Sequence, residues 1–106
     1  LLKQAAASGY QITILFFWLK SPELAKLRVQ KRVELGGHNI PEEVIERRYS
    51  RGIHNLLNHF IHLCNHWSIY NNSESEPKPI CWGAKDELEV YDNETYQSIL
   101  KYVESR

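Results

Sequence analysis

The stretch from Ile12 to Leu19, which reads ITILFFWL, constrains the fold more than any other part of the chain. If this stretch is a strand, apolar side chains occupy both of its faces. β-branched and aromatic residues predominate in it. This pattern is typical of a strand inside a parallel sheet, where helices cover both faces. A buried helix is the alternative, but a segment of this length bounded by Gly9 and Pro22 favours a strand. The sequence therefore predicts an interior strand of an α/β fold.

A helix is predicted directly after this strand. Ser21 can cap its first turn, proline is tolerated at Pro22, and Glu23 suits the positive end of the helix dipole. The helix is expected to run to about Leu35 and to end at Gly36-Gly37. A strand, a short loop and a helix form half of a βαβ unit.

The side chains of this first long helix divide into two rows. Leu24, Leu27 and Val29 are expected to supply part of a buried face. Arg28 and Arg32 lie one turn apart on another row.

A second helix is predicted to begin at Pro41, with Glu42 and Glu43 in its first turn. Gly52 lowers the helix preference in its interior, so a bend or break there is plausible. The apolar residues follow at helical spacing and predict a long amphipathic element: Val44, Ile45, Tyr49, Ile53, Leu56, Leu57, Phe60 and Ile61.

The remainder of the chain predicts a strand, a hairpin and a last helix. Trp67 to Tyr70 is interpreted as a short strand parallel to the first, because a helical crossover separates them. Ile80 to Trp82 and Leu88 to Tyr91 flank a turn and predict a hairpin. Asp92 is expected to cap the last helix.

The length of 106 residues allows one ordinary domain or a domain fragment. Three parts are expected within it: a strand-helix half unit (1–35), a lid with a long helix (36–66), and a strand, hairpin and C-terminal helix (67–106). Before the first strand, Leu1 to Ser8 resembles the end of a helix closed by Gly9. The chain contains no methionine and begins Leu1-Leu2-Lys3, so we expect it to be a piece of a longer protein.

Composition narrows the classes of partner and compartment. Basic and acidic residues balance at 13 each, so no global field attracts nucleic acid or membrane. No apolar run approaches the length of a membrane span, and no signal peptide is visible. Cys64 and Cys81 are interpreted as free thiols, which suits a reducing cytoplasm.

The segment from Arg32 to Gly52 is the strongest functional signal. Two arginine-bearing helix ends, hinged by paired glycines, could close over phosphate groups. Arginine suits this task because its guanidinium stays charged and offers a rigid fork of donors. Arg47, Arg48 and Arg51 lie within two turns of the second helix, where they repel one another unless they are solvated or given an anion. Two surface helices with solvated basic faces remain the alternative.

Three histidines raise a metal hypothesis. His59, His62 and His66 have the spacing of one side of a helix, with Cys64 nearby. Metal ligands often lie one turn apart, but no acidic or cysteine cluster elsewhere completes a ligand shell. We therefore interpret these histidines as structural and predict no metal site.

Two catalytic motifs are absent from the sequence. No serine lies in the glycine-flanked elbow of a serine hydrolase. The pattern G-x-x-x-x-G-K-[ST], which binds phosphates in P-loop proteins, does not occur either. The chain is therefore not expected to hydrolyse ATP or transfer phosphoryl groups on its own.

Three stretches, taken in order, resemble a known family. These are Gly9-Tyr10, the run FFWLKSPELAKLRVQKRVELGGHNIPEEVIERRYSRGIHNL, and Trp67 to Ser73. They look like the C-terminal half of the zeta-toxin-like P-loop kinases, often described as predicted ATPases. The resemblance covers most of residues 1–73 and is most specific at GGHNIPEEVIERRYSRG.

The resemblance implies a fold and a set of site residues. The fold would be part of a doubly wound, P-loop kinase-like sheet, a three-layer αβα arrangement with a helical lid and a C-terminal hairpin plus helix. The segment from Arg32 to Arg51 would be the lid, whose arginines contact ATP phosphates and stabilise the transferring phosphoryl group. The catalytic residues implied are Arg48 and Arg51, and the cofactor-binding residues implied are Arg28, Arg32, Arg47 and Asn72.

The resemblance also implies ligands and partners. The complete protein would use ATP with magnesium to phosphorylate a small molecule such as a nucleotide sugar. In this family the phosphate-binding loop, the magnesium-binding hydroxyl and the acidic base lie upstream of the residues present here. Phe16, Phe17 and Trp18 would then lack part of their cover, so we expect either a homo-oligomer or a missing N-terminal half.

Two other functions are compatible with the sequence. One is a non-catalytic interaction or self-association module derived from the same fold, which docks acidic surfaces on its arginines. The other is RNA binding, which is less favoured because the net charge is zero and aromatic residues are not interleaved with basic ones.

Overall fold

The computed structural model describes the backbone of residues 2–105 and the side chains of residues 3, 4 and 7–105. It is a mixed α/β fold with an open four-stranded sheet. The elements, in chain order, are α1 (Leu2–Ala7), β1 (Thr13–Trp18), α2 (Pro22–Glu34), α3 (Glu42–Asn58), a short 3-10 helix (Phe60–His62), β2 (His66–Asn71), β3 (Lys78–Ala84), β4 (Glu87–Val90) and α4 (Asn93–Glu104).

The sheet has the strand order β1-β2-β3-β4. β1 and β2 are parallel, with Phe16 opposite Ile69, whereas the other neighbours are antiparallel. The predicted parallel pair is thus confirmed. The predicted hairpin is confirmed too, and Lys85 and Asp86 form its turn.

The prediction that Ile12 to Leu19 is an interior strand is wrong for the described residues. β1 lies at the edge of the sheet, and β2 is its neighbour there. Its side chains alternate: Phe16 and Trp18 pack against the core, whereas Leu15 and Phe17 are 55% and 51% exposed. All three aromatic side chains thus lack part of their cover, as expected: Phe17 is exposed, whereas Phe16 and Trp18 are partly buried.

The core lies on one face of the sheet, where α3 and α4 both pack. The predicted three-layer arrangement has helices on both faces of the sheet. In the described residues, α3 and α4 instead both lie on the face that carries Phe16 and Ile69. The fully enclosed side chains come from α3, the two central strands and α4: Ile53, Leu56, Ile69, Ile80, Cys81 and Ile99.

The predicted helix signals are confirmed. The Ser21 hydroxyl accepts a hydrogen bond from the Leu24 N–H at 3.2 Å, and Asp92 accepts one from the Thr95 N–H at the same distance. These bonds satisfy backbone donors that the first turn of a helix leaves unpaired. Gly36 follows α2 with a φ of 98°, a left-handed conformation that favours glycine.

Gly52 does not break α3, which runs without interruption from Glu42 to Asn58. A Cβ at this position would lie 3.6 Å from the Phe16 ring. The glycine therefore lies where α3 crosses β1, and packing against the sheet supports the helix there.

The expected buried face of α2 is also wrong. No described residue of α2 is buried, and Leu27 is exposed. α2 packs mainly on α3 rather than on the sheet, so its apolar residues receive only partial cover.

The three histidines do not share a helix. His59 follows the last residue of α3, His62 ends the 3-10 helix, and His66 begins β2. Within the described residues, no group of three histidine, cysteine or acidic side chains could hold a metal ion.

Cys64 and Cys81 are both free thiols. Cys81 is buried, and burial raises its pKa to about 11, so this thiol stays protonated at neutral pH. Among the described helices, none is long and apolar enough to cross a membrane.

Candidate functional site

A pocket of about 450 Å³ opens where the parallel strands β1 and β2 end. Trp18 and Leu19 line it from the end of β1, and Asn72 lines it from the residue after β2. Because β1 and β2 are parallel, their carboxyl ends meet at the same edge of the sheet. Open α/β sheets bind ligands at this edge.

Hydrogen bonds between the two strand ends fix this side of the pocket. The Asn72 N–H donates to the Trp18 carbonyl at 2.8 Å, and the Lys20 N–H donates to the Ser73 hydroxyl at 2.9 Å. The Asn71 side-chain oxygen accepts from the Ser73 N–H at 3.0 Å, which shapes the turn after β2. Asn72 is therefore held beside the end of β1.

The other walls are one stripe from each of two helices. On α2 the stripe is Ala25, Arg28, Val29 and Arg32, which follow the i, i+3, i+4, i+7 spacing of one helical face. On α3 the residues that line the pocket have the same helical spacing: Ile45, Arg48, Tyr49, Gly52 and Ile53. Ile40, in the connection between the helices, completes the wall.

Four of the six predicted site residues line this pocket: Arg28, Arg32, Arg48 and Asn72. Arg28 is half-buried, whereas Arg32 and Arg48 are exposed. The lining does not include Arg47 or Arg51, which lie on a neighbouring row of α3 and are exposed. The roles predicted for all six residues remain predictions.

The charge of the pocket is positive. Three guanidinium groups line it, and its described lining contains no acidic side chain. The ion pairs found among the described residues join Lys26 to Glu46 and Lys78 to Glu74, so neither involves a lining arginine. Guanidinium groups are suited to a phosphate or carboxylate ligand, since they form charge-assisted and often bidentate hydrogen bonds with such anions.

An ion pair links the two arginine-bearing helices. Lys26 on α2 donates to Glu46 on α3. Exposed pairs of this kind contribute little stability, but they limit the relative orientations of the helices that carry them.

Tyr49 ties the pocket wall on α3 to the end of β1. Its hydroxyl donates a 2.7 Å hydrogen bond to the Leu19 carbonyl, and its ring meets Tyr102 of α4 edge-on at 5.7 Å between centroids. Burial, followed by the nearby Tyr102, raises the pKa of Tyr49 to about 12. The phenol therefore remains a neutral donor throughout the physiological range.

We expect Tyr49→Phe to lower the free energy of unfolding by about 1 kcal/mol, because the Leu19 carbonyl loses its donor. Urea denaturation followed by circular dichroism measures the change. Tyr10→Phe is the matched control, since Tyr10 is 69% exposed. An equal effect of the two substitutions would contradict the role given to the Tyr49 hydroxyl.

The pH dependence of the free energy of unfolding provides a second test of Tyr49. An unfolded tyrosine ionises near pH 10, whereas folded Tyr49 ionises near 12. Tyr49 thus contributes stability that is complete below pH 10 and is lost as the pH rises towards 12. This alkaline loss should be smaller in Tyr49→Phe than in the parent chain.

Sequence reasoning missed Tyr49 and Trp18 as lining residues because their apolar character was assigned to the core, and it gave Ile40 no role. The signal for Tyr49 was its position one residue after Arg48, on the stripe that also carries Ile45 and Ile53. A residue next to an arginine on the inward stripe of a helix can line the same pocket.

The described residues define a mixed α/β protein with an arginine-lined pocket at the carboxyl ends of two parallel strands. Comparison of the chain with protein-family models, curated proteins and solved structures finds no match in any of the three.

Proposed function

We propose that this chain is the lid-bearing C-terminal part of an ATP-dependent small-molecule kinase with a P-loop kinase-like fold. Its acceptor would be a small molecule such as a nucleotide sugar. The resemblance of the segment GGHNIPEEVIERRYSRG to zeta-toxin-like kinases supports the family, and the arginine-lined pocket supports the chemistry.

The observation that carries the proposal is the convergence of Arg28, Arg32 and Arg48 on one pocket from two helices. Guanidinium groups from different elements can surround a polyphosphate, and charge-assisted hydrogen bonds to it exceed neutral ones in strength. Asn72 adds an amide at the carboxyl edge of the sheet.

The four residues receive different roles. Arg28, Arg32 and Asn72 would bind the nucleotide, and Arg48 would stabilise charge on the phosphoryl group in transfer. Arg47 and Arg51 receive no direct contact in this proposal, because they lie outside the pocket lining.

Phosphoryl transfer also needs groups that this sequence lacks. The G-x-x-x-x-G-K-[ST] pattern is absent, so no such loop holds the phosphates in line. The described residues also bring together no cluster of potential metal ligands. We therefore propose that the chain binds nucleotide phosphates without turning ATP over, and that magnesium would be held by other parts of the complete protein.

Calorimetric titration of the 106-residue chain with tripolyphosphate, ATP and adenosine tests the proposal. We expect tripolyphosphate and ATP to bind and adenosine to bind more weakly, with an affinity for the two anions that falls as salt is added. Arg28→Ala should weaken tripolyphosphate binding roughly tenfold, because it removes a charge-assisted hydrogen bond.

Arg47→Ala is the matched control, because it removes the same charge from an exposed site on the neighbouring row of α3. Its effect should stay within about twofold, as expected for a charge that is screened by solvent. Equal losses in the two variants, or no saturable binding of tripolyphosphate, would overturn the proposal.

A further inference from the structure

The outer edge of β1 presents backbone groups that β2 does not use. The Ile12 carbonyl accepts from the His66 N–H at 3.2 Å, and the Trp18 carbonyl accepts from the Asn72 N–H at 2.8 Å. Successive residues of a strand direct their backbone groups to opposite sides. The N–H and C=O groups of the odd-numbered residues of β1, from 13 to 17, therefore point away from β2, where the described residues supply no strand.

The side chains of these odd-numbered residues are uncovered as well. Leu15 and Phe17 are 55% and 51% exposed, and the Phe17 ring stacks on Tyr70 with centroids 5.6 Å apart. The edge therefore joins an unpaired backbone to an apolar surface, the combination that recruits another strand.

The two edges of the sheet differ in how they are protected. β4 has four residues and carries Glu87 and Glu89, and charges at an edge hinder pairing with a second sheet. β1 has six residues, with no charge, no proline and no register shift against β2. The features that block edge pairing are thus found on β4 and not on β1.

In the proposed kinase, upstream strands would cover this edge of β1. For the 106-residue chain without them, we propose that β1 pairs with β1 of a second copy of this chain, antiparallel about a two-fold axis at Leu15. A two-fold axis requires a patch that is complementary to itself, and it makes the two strands antiparallel. Leu15 then lies opposite Leu15 of the partner subunit, and Thr13 lies opposite Phe17 of the partner subunit. Each of these residues donates one hydrogen bond to its opposite and accepts one from it.

The chemistry of the edge fits this register. At the centre an apolar residue faces its own copy, and towards the ends an aromatic residue faces the smaller, β-branched Thr13. Like charges do not meet, because Lys20 beyond the strand end falls opposite Tyr10 of the partner subunit. The two sheets would form one continuous sheet, and the exposed Leu15 and Phe17 side chains of both copies would share a single apolar surface.

Sedimentation of the 106-residue chain is the first test. At concentrations on the order of 100 µM we expect a dimer that dissociates on dilution, as for a modest interface. Leu15→Lys places two like charges at the axis and should give a monomer with an unchanged circular dichroism spectrum. Leu88→Lys is the matched control, since Leu88 is 52% exposed on the β4 edge, and it should leave the dimer intact.

Two outcomes of sedimentation would overturn the proposal. One is a parent chain that stays monomeric at the highest concentration. The other is dissociation of the dimer by Leu88→Lys as readily as by Leu15→Lys.

Disulfide trapping tests the register of the proposed β1–β1 pair. Unlike Leu15→Lys, it does not depend on dissociating the dimer. With Cys64→Ser as background, Leu15→Cys should cross-link to its own copy, because the opposed Cα atoms would be about 5.5 Å apart. Thr13→Cys should not, because two copies of residue 13 would lie roughly 13 Å apart. A mixture of Thr13→Cys and Phe17→Cys should cross-link, and equal cross-linking of Thr13→Cys and Leu15→Cys alone would refute the register.

Discussion

Gly83→Ala is expected to lower the free energy of unfolding by about 3 kcal/mol, at the upper end of the usual cost of overpacking. A Cβ at Gly83 would lie 2.4 Å from the Trp67 Cε2 atom and 2.5 Å from Cζ2. Trp67 is opposite Gly83 across the β2–β3 pair and is a buried member of the core, so moving the ring would disturb its packed neighbours. A domain of this size has roughly 5–15 kcal/mol of stability in total, so the loss should be visible directly in a urea titration.

Gly52→Ala is the matched control for Gly83→Ala. Its Cβ would meet the Phe16 ring at 3.6 Å, an ordinary contact, and Gly52 lies within a helix. Alanine is favoured over glycine there, so we expect a gain of about 0.5–1 kcal/mol. Similar effects of the two substitutions would contradict the packing of Trp67 over Gly83.

Arg48→Glu is expected to weaken tripolyphosphate binding at least tenfold. The substitution removes a charge-assisted hydrogen bond of about 1.5–3 kcal/mol, and each 1.4 kcal/mol is roughly a tenfold change in affinity. It also adds a repelling carboxylate to a lining that has no acidic side chain among the described residues. Arg48 is exposed, so the fold should persist, and circular dichroism checks this.

Arg47→Glu is the control for the charge reversal, because it makes the same change one residue away on the same helix. Arg47 lies outside the pocket lining, so screened, long-range repulsion should be its main effect. The difference between the two variants should persist when salt is raised. Equal losses that both disappear with salt would show that general attraction, and not the pocket, binds the anion.

Local chemistry made most of the elements predictable from the sequence. The caps at Ser21 and Asp92 act within one helical turn, and the hydrogen bonds they make were predictable from residue type and position. The parallel β1–β2 pair followed from the helical crossover between them. The edge position of β1 could not be predicted, because a run that is apolar on both faces does not reveal which strands are present to flank it.

The sequence indicated that arginines would form the candidate site, but it did not show which arginines of α3 line the pocket. Arg28, Arg32 and Asn72 were selected through resemblance, and they line one pocket with Arg48. Arg48 and Arg51 could not be separated from the sequence, because both lie within the predicted lid segment and the rotation of α3 is set by its packing. That rotation depends on Ile45 and Ile53, which are buried, so the stripe that carries Arg48 turns inwards.

We propose one binding site for phosphate groups, between α2 and α3 at the carboxyl ends of β1 and β2. NMR of the arginine Nε–Hε resonances during a tripolyphosphate titration tests it most directly, with assignments from single Arg→Lys variants. We expect saturable shifts with one common affinity at Arg28, Arg32 and Arg48, and smaller shifts at Arg47 and Arg51. Equal shifts at all five arginines, or shifts confined to Arg47 and Arg51, would contradict it.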